Sequence, residues 1–160
     1  MNNQMLAVIQ KIHTFFREES LTLSVAESCT GGLISHLITD FPGSSAFFEA
    51  GVVAYSAAVK EKILGVSPET IAMHGVVSEQ IVREMAKNIR RLTGTDFSLS
   101  TSGNLGPDVL EGKEKGLVYI AVCSKEEIFS KELRLKGNRE ENKAMACRLA
   151  LEFLMEIAEG

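Results

Sequence analysis

A short strand that runs directly into a glycine-containing turn and then into a helix constrains the fold of this chain more than any other feature. Residues 21–25 alternate apolar and polar side chains and include β-branched ones, which is typical of a strand. The turn that follows contains Gly31 and Gly32, and the apolar residues over 33–38 recur at helical spacing. Such a unit predicts an α/β protein in which strands and helices alternate.

The rest of the chain repeats this alternation. Apolar periodicity and cap residues predict helices that begin near residues 3, 33, 56, 67, 78 and 138. Further strands are predicted at 50–55, 97–102, 116–123 and 128–135. The last two strands are adjacent along the chain, so they form a hairpin and make the sheet mixed, although mostly parallel. We therefore expect one domain over residues 1–160, a three-layer α/β/α sandwich.

Three details of this expectation concern burial. The strand at 50–55 is apolar without alternation, which predicts a strand buried on both faces. Leu92 continues the apolar stripe of the helix that begins at 78, and Ala144 belongs to the stripe of the last helix. We expect both side chains to face the core.

Composition excludes several classes of function. The 160-residue chain carries a net charge of −4, and 45% of its residues are hydrophobic, as in an ordinary globular protein. It lacks the basic clusters with interleaved aromatic residues that bind nucleic acids. Its three cysteines and three histidines show neither a CxxC pair nor metal-ligand spacing, so no metal is expected. No stretch approaches the ~18 apolar residues of a membrane span, and the N-terminus predicts an amphipathic helix, so we expect a cytoplasmic protein.

Ser28 is the strongest candidate for chemistry. Ligands of open α/β sheets bind beyond the carboxyl ends of the strands, where the Ser28 turn lies. A serine at a strand-to-helix turn exposes its hydroxyl, while backbone N–H groups at the helix start can donate to an oxyanion. Gly31 and Gly32 would let a substrate approach closely. The alternative interpretation is that Ser28 or Thr30 is only a helix N-cap and that the glycines serve the turn.

The serine would need a base, and the spacing of residues leaves this choice open. Lys60 follows the strand end at Tyr55 by just over one helical turn, so it could point back to the same edge of the sheet. Burial could lower its pKa enough for it to act as a base, but Lys62 would look equally good from spacing alone. Cys29 is a second candidate nucleophile, although no histidine lies near it in sequence, which favours a small packing residue.

The residues Ala26-Glu27-Ser28-Cys29-Thr30-Gly31-Gly32 match the hallmark of the CinA C-terminal domain family, the nicotinamide mononucleotide amidohydrolases. The resemblance covers about residues 5–158 and continues, in the family's order, through Pro42-Gly43-Ser44-Ser45, Gly51-Val52-Val53-Ala54-Tyr55-Ser56, Lys60, Leu64-Gly65-Val66, His74-Gly75-Val76-Val77-Ser78-Glu79, Gly106-Pro107 and Gly137-Asn138-Arg139. Seven identical residues in one loop, followed by further matching segments in the same order, make a much more specific resemblance than a lone glycine motif.

The resemblance implies hydrolysis of the carboxamide of nicotinamide mononucleotide to nicotinate mononucleotide and ammonia. Ser28 would attack the amide carbon, Lys60 would be the general base of a Ser–Lys pair, and Tyr55 would assist proton transfer or orient the lysine. No cofactor is implied, because water completes the acyl-transfer cycle. The partner is a small nucleotide, and a homo-oligomer, most simply a dimer, is expected.

The resemblance also implies contacts with the substrate. Ser102 lies where the family usually has threonine, near the substrate, and Arg139 matches a late arginine that would hold the phosphate. The other expected contacts are Thr30, Gly31, Gly32 and Gly103. From the residues alone, Arg139 and Lys143 could contact an anionic substrate or be solvated.

This chain departs from the family's pattern at three places. Ala57 replaces the usual asparagine, Asn138 replaces an aspartate, and the loop 102–111 differs from the usual glycine-rich sequence. The altered 102–111 loop and Ala57 favour an alternative function, a non-catalytic pyridine-nucleotide-binding or regulatory module on the same fold. A third, weaker hypothesis is an amidase for a different small amide.

Overall fold

The structure, a computed structural model, describes residues 1–125 and 127–160. Its helices are α1 (Asn3–Glu18), α2 (Leu33–Thr39), α3 (Ala57–Leu64), α4 (Pro68–His74), α5 (Glu79–Thr93) and α6 (Arg139–Ala158). Its strands are β1 (Leu23–Glu27), β2 (Phe48–Val53), β3 (Phe97–Gly103), β4 (Leu117–Cys123) and β5 (Ile128–Arg134). The predicted order of elements is confirmed.

The five strands form one sheet in the order β2-β1-β3-β4-β5. β1 pairs in parallel with β2 and β3, whereas β4 pairs antiparallel with β3 and β5. Among the strands that the structure describes, β4 therefore runs against the other four. Glu27 lies opposite Val53 of β2 and Thr101 of β3. The carboxyl ends of three parallel strands thus meet at one edge of the sheet, where a ligand site is expected.

Helices cover both faces of this sheet. The larger core packs α1, α2 and α6 against one face of the sheet. Its buried strand residues include Leu23 and Val25 of β1 and Leu99 of β3. On the opposite face, Ala26 packs with buried residues of α3 and α5, such as Leu64. Successive side chains of β1 point to opposite faces, as strand geometry requires. The predicted three-layer α/β/α sandwich with a mixed sheet is confirmed.

The caps that define the helix starts are found where the sequence predicts them. The hydroxyls of Ser56, Ser67 and Ser78 accept hydrogen bonds from backbone N–H groups three residues later, at α3, α4 and α5. Asn138 and Glu141 form a capping box that begins α6. Local side-chain chemistry therefore sets where these helices begin.

The three expectations about burial are wrong. The strand predicted at 50–55 is Phe48–Val53, and its residues alternate between half-buried and exposed because it is an edge strand, paired only with β1. Leu92 is 64% exposed, and Ala144 is also exposed. At the start of α6 the buried position is taken by Asn142, whose amide donates to the carbonyls of Leu105 and Gly137. Periodicity identifies a stripe on a helix, but burial also requires an element that covers it.

Across residues 1–125 and 127–160, no helix combines the length and the apolar character needed to cross a membrane. The same residues contain no group of three or more His, Cys, Asp or Glu side chains placed to hold a metal ion.

Candidate active site

A lysine–serine contact lies at the centre of the candidate site. Lys60 Nζ donates hydrogen bonds to Ser28 Oγ at 2.8 Å and to the carbonyl oxygen of Tyr55 at 2.9 Å. The Lys60 side chain is only 1% exposed, although it lies on a short helix that is otherwise largely exposed. Lys62, which sequence spacing could not separate from it, is exposed. The structure therefore brings Lys60, and not Lys62, to Ser28.

Burial changes the chemistry of Lys60. Desolvation lowers the pKa of Lys60 from its usual 10.5 to about 8, while the Cys29 thiol and the Glu111 carboxylate act in the opposite direction. A neutral amine keeps two protons for donation and has one lone pair. It can therefore still donate to the Tyr55 carbonyl while it accepts the proton of Ser28. This arrangement allows proton transfer from the serine near neutral pH.

The Ser28 turn is held between two strands. Ser28 N–H donates to the carbonyl of Thr101 on β3 at 3.1 Å, and Ala54 N–H donates to the carbonyl of Glu27 at 2.9 Å. The turn then closes with the left-handed Gly31 and Gly32, at φ of 59° and 96°. These values favour glycine, because a Cβ would be strained there. The serine hydroxyl thus emerges at the carboxyl edge of the sheet.

Neither Ser28 nor Thr30 caps α2. The N-cap position is occupied by Gly32, which has no side chain to accept a hydrogen bond. Instead, the carboxylate of Glu27 accepts from the backbone N–H groups of Ile34 and Ser35, both at 2.9 Å. The simple-cap interpretation of Ser28 therefore does not describe this turn.

Glu27 was not singled out from the sequence. It is fully buried, and it also accepts hydrogen bonds from Thr30 Oγ1 at 2.7 Å and Ser35 Oγ at 2.8 Å. The available signal was an acidic residue at the end of a strand, immediately before a helix whose first N–H groups need acceptors.

Burial disfavours Cys29 as a competing nucleophile. Its side chain is buried, and desolvation raises the pKa of its thiol to about 12, although a hydrogen bond with Thr101 and the charge of Lys60 oppose this rise. A thiol with such a pKa remains protonated near neutral pH, whereas the thiolate is the reactive form.

Tyr55 contributes its backbone and its side chain to different contacts. Its carbonyl oxygen faces Lys60, whereas its hydroxyl accepts a hydrogen bond from Arg139 Nη2 at 3.1 Å. The ring is 59% exposed. Arg139 also donates through Nη1 to the carbonyl of Gly106 at 2.7 Å. Tyr55 therefore contacts Lys60 through its main chain, and its phenol lies beside Arg139 at the mouth of the site.

The residues at the end of β3 divide between the two faces of the sheet. Thr101 faces the Ser28 turn, and its Oγ1 lies 2.8 Å from Thr30 Oγ1. Ser102 points to the other face, where its hydroxyl donates to the carbonyl of Val76 at 2.5 Å. Thus the structure turns the Ser102 hydroxyl away from the Ser28 turn and places Thr101 against it.

Two of the three expected glycine contacts, Gly103 and Gly31, have different surroundings. A Cβ on Gly103 would lie 2.7 Å from the backbone of Leu117 and Val118, so this glycine allows close packing of β3 on β4. A Cβ on Gly31 would lie 3.3 Å from the ammonium of Lys143, which reaches over from α6. Lys143 is therefore the second residue of α6, after Arg139, that lies next to the site.

A loop between β3 and β4 closes over the turn that precedes α5. Glu111 accepts hydrogen bonds from the N–H groups of Val76 and Val77 at 3.0 and 3.2 Å. Lys113 Nζ donates to the carbonyls of His74 and Val77. We call residues 104–116 the strap. It contains most of the loop that differs from the pattern of the family that the sequence resembles, and its Glu111 lies close enough to Lys60 to influence the pKa of that amine.

Comparison with known sequences identifies clear relatives. A sequence model of the CinA C-terminal domain matches residues 5–158. A protein of Shewanella oneidensis named nicotinamide-nucleotide amidohydrolase PncC is 41% identical over 147 residues, covering 91% of this chain and 35% of that protein. A CinA-like protein of Shewanella sp. strain ANA-3 is 42% identical over 147 residues, with the same shares. The chain thus spans 35% of the length of these relatives.

Solved structures share the fold over nearly the whole chain. The competence/damage inducible protein CihA from Agrobacterium tumefaciens superposes with a TM-score of 0.95 and 32% identity, covering 99% of this chain and 98% of that one. The competence damage-inducible protein A from Klebsiella pneumoniae gives a TM-score of 0.93 and 33% identity, covering 97% and 96%.

Proposed function

The chain belongs to the CinA C-terminal domain family, and we propose that it hydrolyses the carboxamide of nicotinamide mononucleotide to nicotinate mononucleotide and ammonia. The contact between Lys60 Nζ and Ser28 Oγ carries this proposal, because it joins a serine to a buried amine that can take its proton. The name of the Shewanella oneidensis relative supports the class of substrate. Ser28 is the proposed nucleophile and Lys60 the proposed general base.

The reaction follows from this pair in two halves. Neutral Lys60 accepts the Ser28 proton while Oγ attacks the carboxamide carbon, which forms a tetrahedral intermediate. The C–N bond then breaks, Lys60 returns the proton to the departing nitrogen, and ammonia leaves an acyl-serine. Water next attacks the acyl carbon, gives one proton to Lys60 and releases nicotinate mononucleotide. That proton then returns to Ser28, so the enzyme is regenerated.

The backbone of the Ser28 turn is the proposed oxyanion site. The N–H groups of Thr30 and Gly32 donate to no acceptor within the described part of the chain, and both lie within four residues of Ser28. Ser28 N–H is already committed to Thr101, so it is not assigned this role. Preorganised amide donors of this kind lower the barrier because they need not reorient as charge develops.

Two cations of α6 are the proposed partners of the substrate phosphate. Arg139 lies beside the Tyr55 hydroxyl, and Lys143 lies over Gly31. Guanidinium groups bind phosphate through two parallel N–H donors, whereas an ammonium acts as a compact charge. Ser102 keeps its proposed place near the substrate only if its hydroxyl leaves Val76.

The decisive experiment incubates the purified protein with nicotinamide mononucleotide and measures ammonia and nicotinate mononucleotide together. Ser28→Ala and Lys60→Met are expected to lower kcat by about 10⁴-fold or more, because each removes one half of the reacting pair. Lys62→Met is the matched control, since Lys62 is exposed on the same helix, and it should retain full activity. Undiminished turnover by Ser28→Ala would overturn the assignment.

The competing function is a non-catalytic pyridine-nucleotide-binding module. It predicts tight binding by calorimetry without release of ammonia from the unmodified protein. An amidase for another small amide would instead release ammonia from a simple aromatic carboxamide in preference to the nucleotide. Cytoplasmic location and a homodimer remain predictions, and analytical ultracentrifugation tests the second.

A further inference from the structure

Three fully buried side chains form a line of hydrogen bonds beneath the Ser28 turn. Glu27 Oε1 lies 2.7 Å from Thr30 Oγ1, which in turn lies 2.8 Å from Thr101 Oγ1. Thr101 Oγ1 lies 3.4 Å from the backbone nitrogen of Ser28. All three side chains are 0% exposed. The line therefore connects a buried carboxylate to the backbone of the proposed nucleophile, beyond the reach of solvent.

The direction of each hydrogen bond in this line follows from counting protons. Both side-chain oxygens of Glu27 act as acceptors: Oε1 accepts from Ile34 N–H and Thr30 Oγ1, and Oε2 accepts from Ser35 N–H. Thr30 must therefore donate its single hydroxyl proton to Glu27. Thr101 must then donate its own proton to Thr30, because Thr30 has none left. The oxygen of Thr101 can thus only accept in its remaining contacts, and it receives the longer branch of the hydrogen bond from Ser28 N–H, whose shorter branch goes to the Thr101 carbonyl at 3.1 Å.

The same carboxylate also holds the other side of the turn. Through Ile34 and Ser35 it binds the first turn of α2, and through Thr30 and Thr101 it reaches β3. Ser28 lies between these two attachments. We infer that Glu27 is a positioning residue for Ser28, acting through the hydroxyls of Thr30 and Thr101, in the reaction proposed above.

Positioning of this kind has a specific kinetic signature. A nucleophile displaced by about 1 Å can lose about 10²-fold in rate, whereas binding of the substrate is little affected. Because the side chains of Thr30 and Thr101 are fully buried and their hydroxyl protons are committed, neither hydroxyl can donate to a substrate. The line should therefore affect kcat and leave KM nearly unchanged.

Thr101 offers the cleanest test. Thr101→Val keeps the shape of the side chain but removes the hydroxyl, and we expect kcat to fall by about 10- to 100-fold with KM within about threefold. Thr101→Ser restores the hydroxyl and should recover kcat to within about threefold of the unmodified protein. The pH midpoint of the reaction should stay the same, since Lys60 is untouched. A raised KM at constant kcat would indicate a substrate contact and would overturn the inference.

Thr95→Val is the matched control. Thr95 is also buried, and its hydroxyl lies 2.8 Å from Ser24 Oγ and 3.2 Å from Thr93 Oγ1. It precedes β3 at the opposite end from Thr101, roughly 20 Å away along the strand. The thermal stability of the Thr95→Val protein should fall as much as that of the Thr101→Val protein, but the kcat of Thr95→Val should not fall. Equal losses of kcat in both variants would mean that stability alone explains the effect, which contradicts the inference.

Glu27→Gln tests the far end of the line. The carboxylate now accepts hydrogen bonds from N–H and O–H donors. In the glutamine variant an amide NH₂, itself a donor, would face some of these donors, so kcat should fall even though the shape of the side chain is kept. A folded Glu27→Gln protein, checked by circular dichroism, with unchanged kcat would overturn the inference. If this variant does not fold, the comparison of Thr101→Val with Thr101→Ser decides.

A reagent that does not depend on the substrate separates this inference from the proposed function. A fluorophosphonate labels activated serines, and intact mass with peptide mapping gives the rate at Ser28. Labelling that is slowed in Thr101→Val and restored in Thr101→Ser supports the inference even if the nucleotide is not hydrolysed. Hydrolysis without any effect of Thr101→Val overturns the inference alone. Absence of both hydrolysis and labelling in the unmodified protein overturns both proposals.

Discussion

Lys60 carries its ammonium into the interior of the protein, where it contacts the Ser28 hydroxyl and the Tyr55 carbonyl. Within the part of the chain that the structure describes, its Nζ forms no ion pair. A buried amine without a contacting carboxylate favours its neutral form, which explains the low pKa of this lysine. Burial and the charges around Lys60 therefore set its pKa, and with it the pH range in which the proposed base is neutral.

This balance predicts a pH dependence. Only neutral Lys60 can accept the Ser28 proton, so kcat/KM should be low where the lysine is protonated, rise through a midpoint near the Lys60 pKa of about 8 and level off at higher pH. The Glu111 carboxylate raises the pKa of Lys60, so Glu111→Gln should move the midpoint to lower pH. Glu114→Gln is the control, because Glu114 is paired with Arg134 at the surface and should leave the midpoint unchanged. A flat profile, or a midpoint that rises in Glu111→Gln, would contradict this prediction.

At the scale of elements, the strap connects the end of β3 to the turn before α5. Asn104 begins it and is 3% exposed; its side chain donates to the carbonyls of Leu110 and Lys113 and accepts from Leu110 N–H. Glu111 then docks on the turn that contains Gly75. The loop that departs from the family's pattern is thus closed on itself and attached to its neighbour, next to the site.

Gly75→Ala should loosen this attachment. A Cβ at Gly75 would lie 2.5 Å from a carboxylate oxygen of Glu111, and the backbone, at φ 77° and ψ 172°, is in a region that only glycine adopts readily. Gly94→Ala is the comparison, because Gly94 also has a positive φ, of 70°, but nothing lies within 4 Å of its Cβ position. We expect Gly75→Ala to lose about 1–3 kcal/mol more free energy of unfolding in urea than Gly94→Ala. Equal losses of unfolding free energy in the two variants would show that Glu111 does not pack against residue 75 closely enough to exclude a Cβ.

At the scale of the molecule, buried apolar clusters lie on both faces of one sheet. The core against α1, α2 and α6 is the largest, and β3 lies in the middle of the sheet between β1 and β4. The proposed nucleophile follows β1, and the proposed base lies on α3, beyond the edge strand β2. The contact between Ser28 and Lys60 therefore depends on the packing of α3 against the sheet, where Leu64 lies in the same buried cluster as Ala26.

Two leucines test how stability is distributed. Leu99 on β3 is 0% exposed, so Leu99→Ala should lower the free energy of unfolding by about 2–5 kcal/mol. Leu92 is 64% exposed, so the same truncation there should change it by less than about 0.5 kcal/mol. Urea unfolding followed by circular dichroism measures both. A large loss in Leu92→Ala would indicate that this face of α5 is covered in solution.

Signals that act within a few residues were sufficient for much of this protein. Serine and asparagine caps, the glycines of the Ser28 turn and the apolar periods predicted the helices, the strands and their order. The same turn, with its resemblance to a known family, singled out Ser28 and suggested Lys60. These features can be predicted from the sequence because helix caps and apolar periodicity depend on residues close together along the chain.

Other features depended on packing between elements far apart in sequence. The position of β2 at the edge of the sheet, the burial of Lys60 rather than Lys62, and the turning of Ser102 away from Ser28 all follow from which strands pair and what covers them. Glu27 reaches Thr101 only because β1 and β3 are neighbours. The Ser28 turn can be recognised from its amino-acid sequence. The hydrogen bonds that hold it join residues more than seventy positions apart, so no local sequence pattern predicts them.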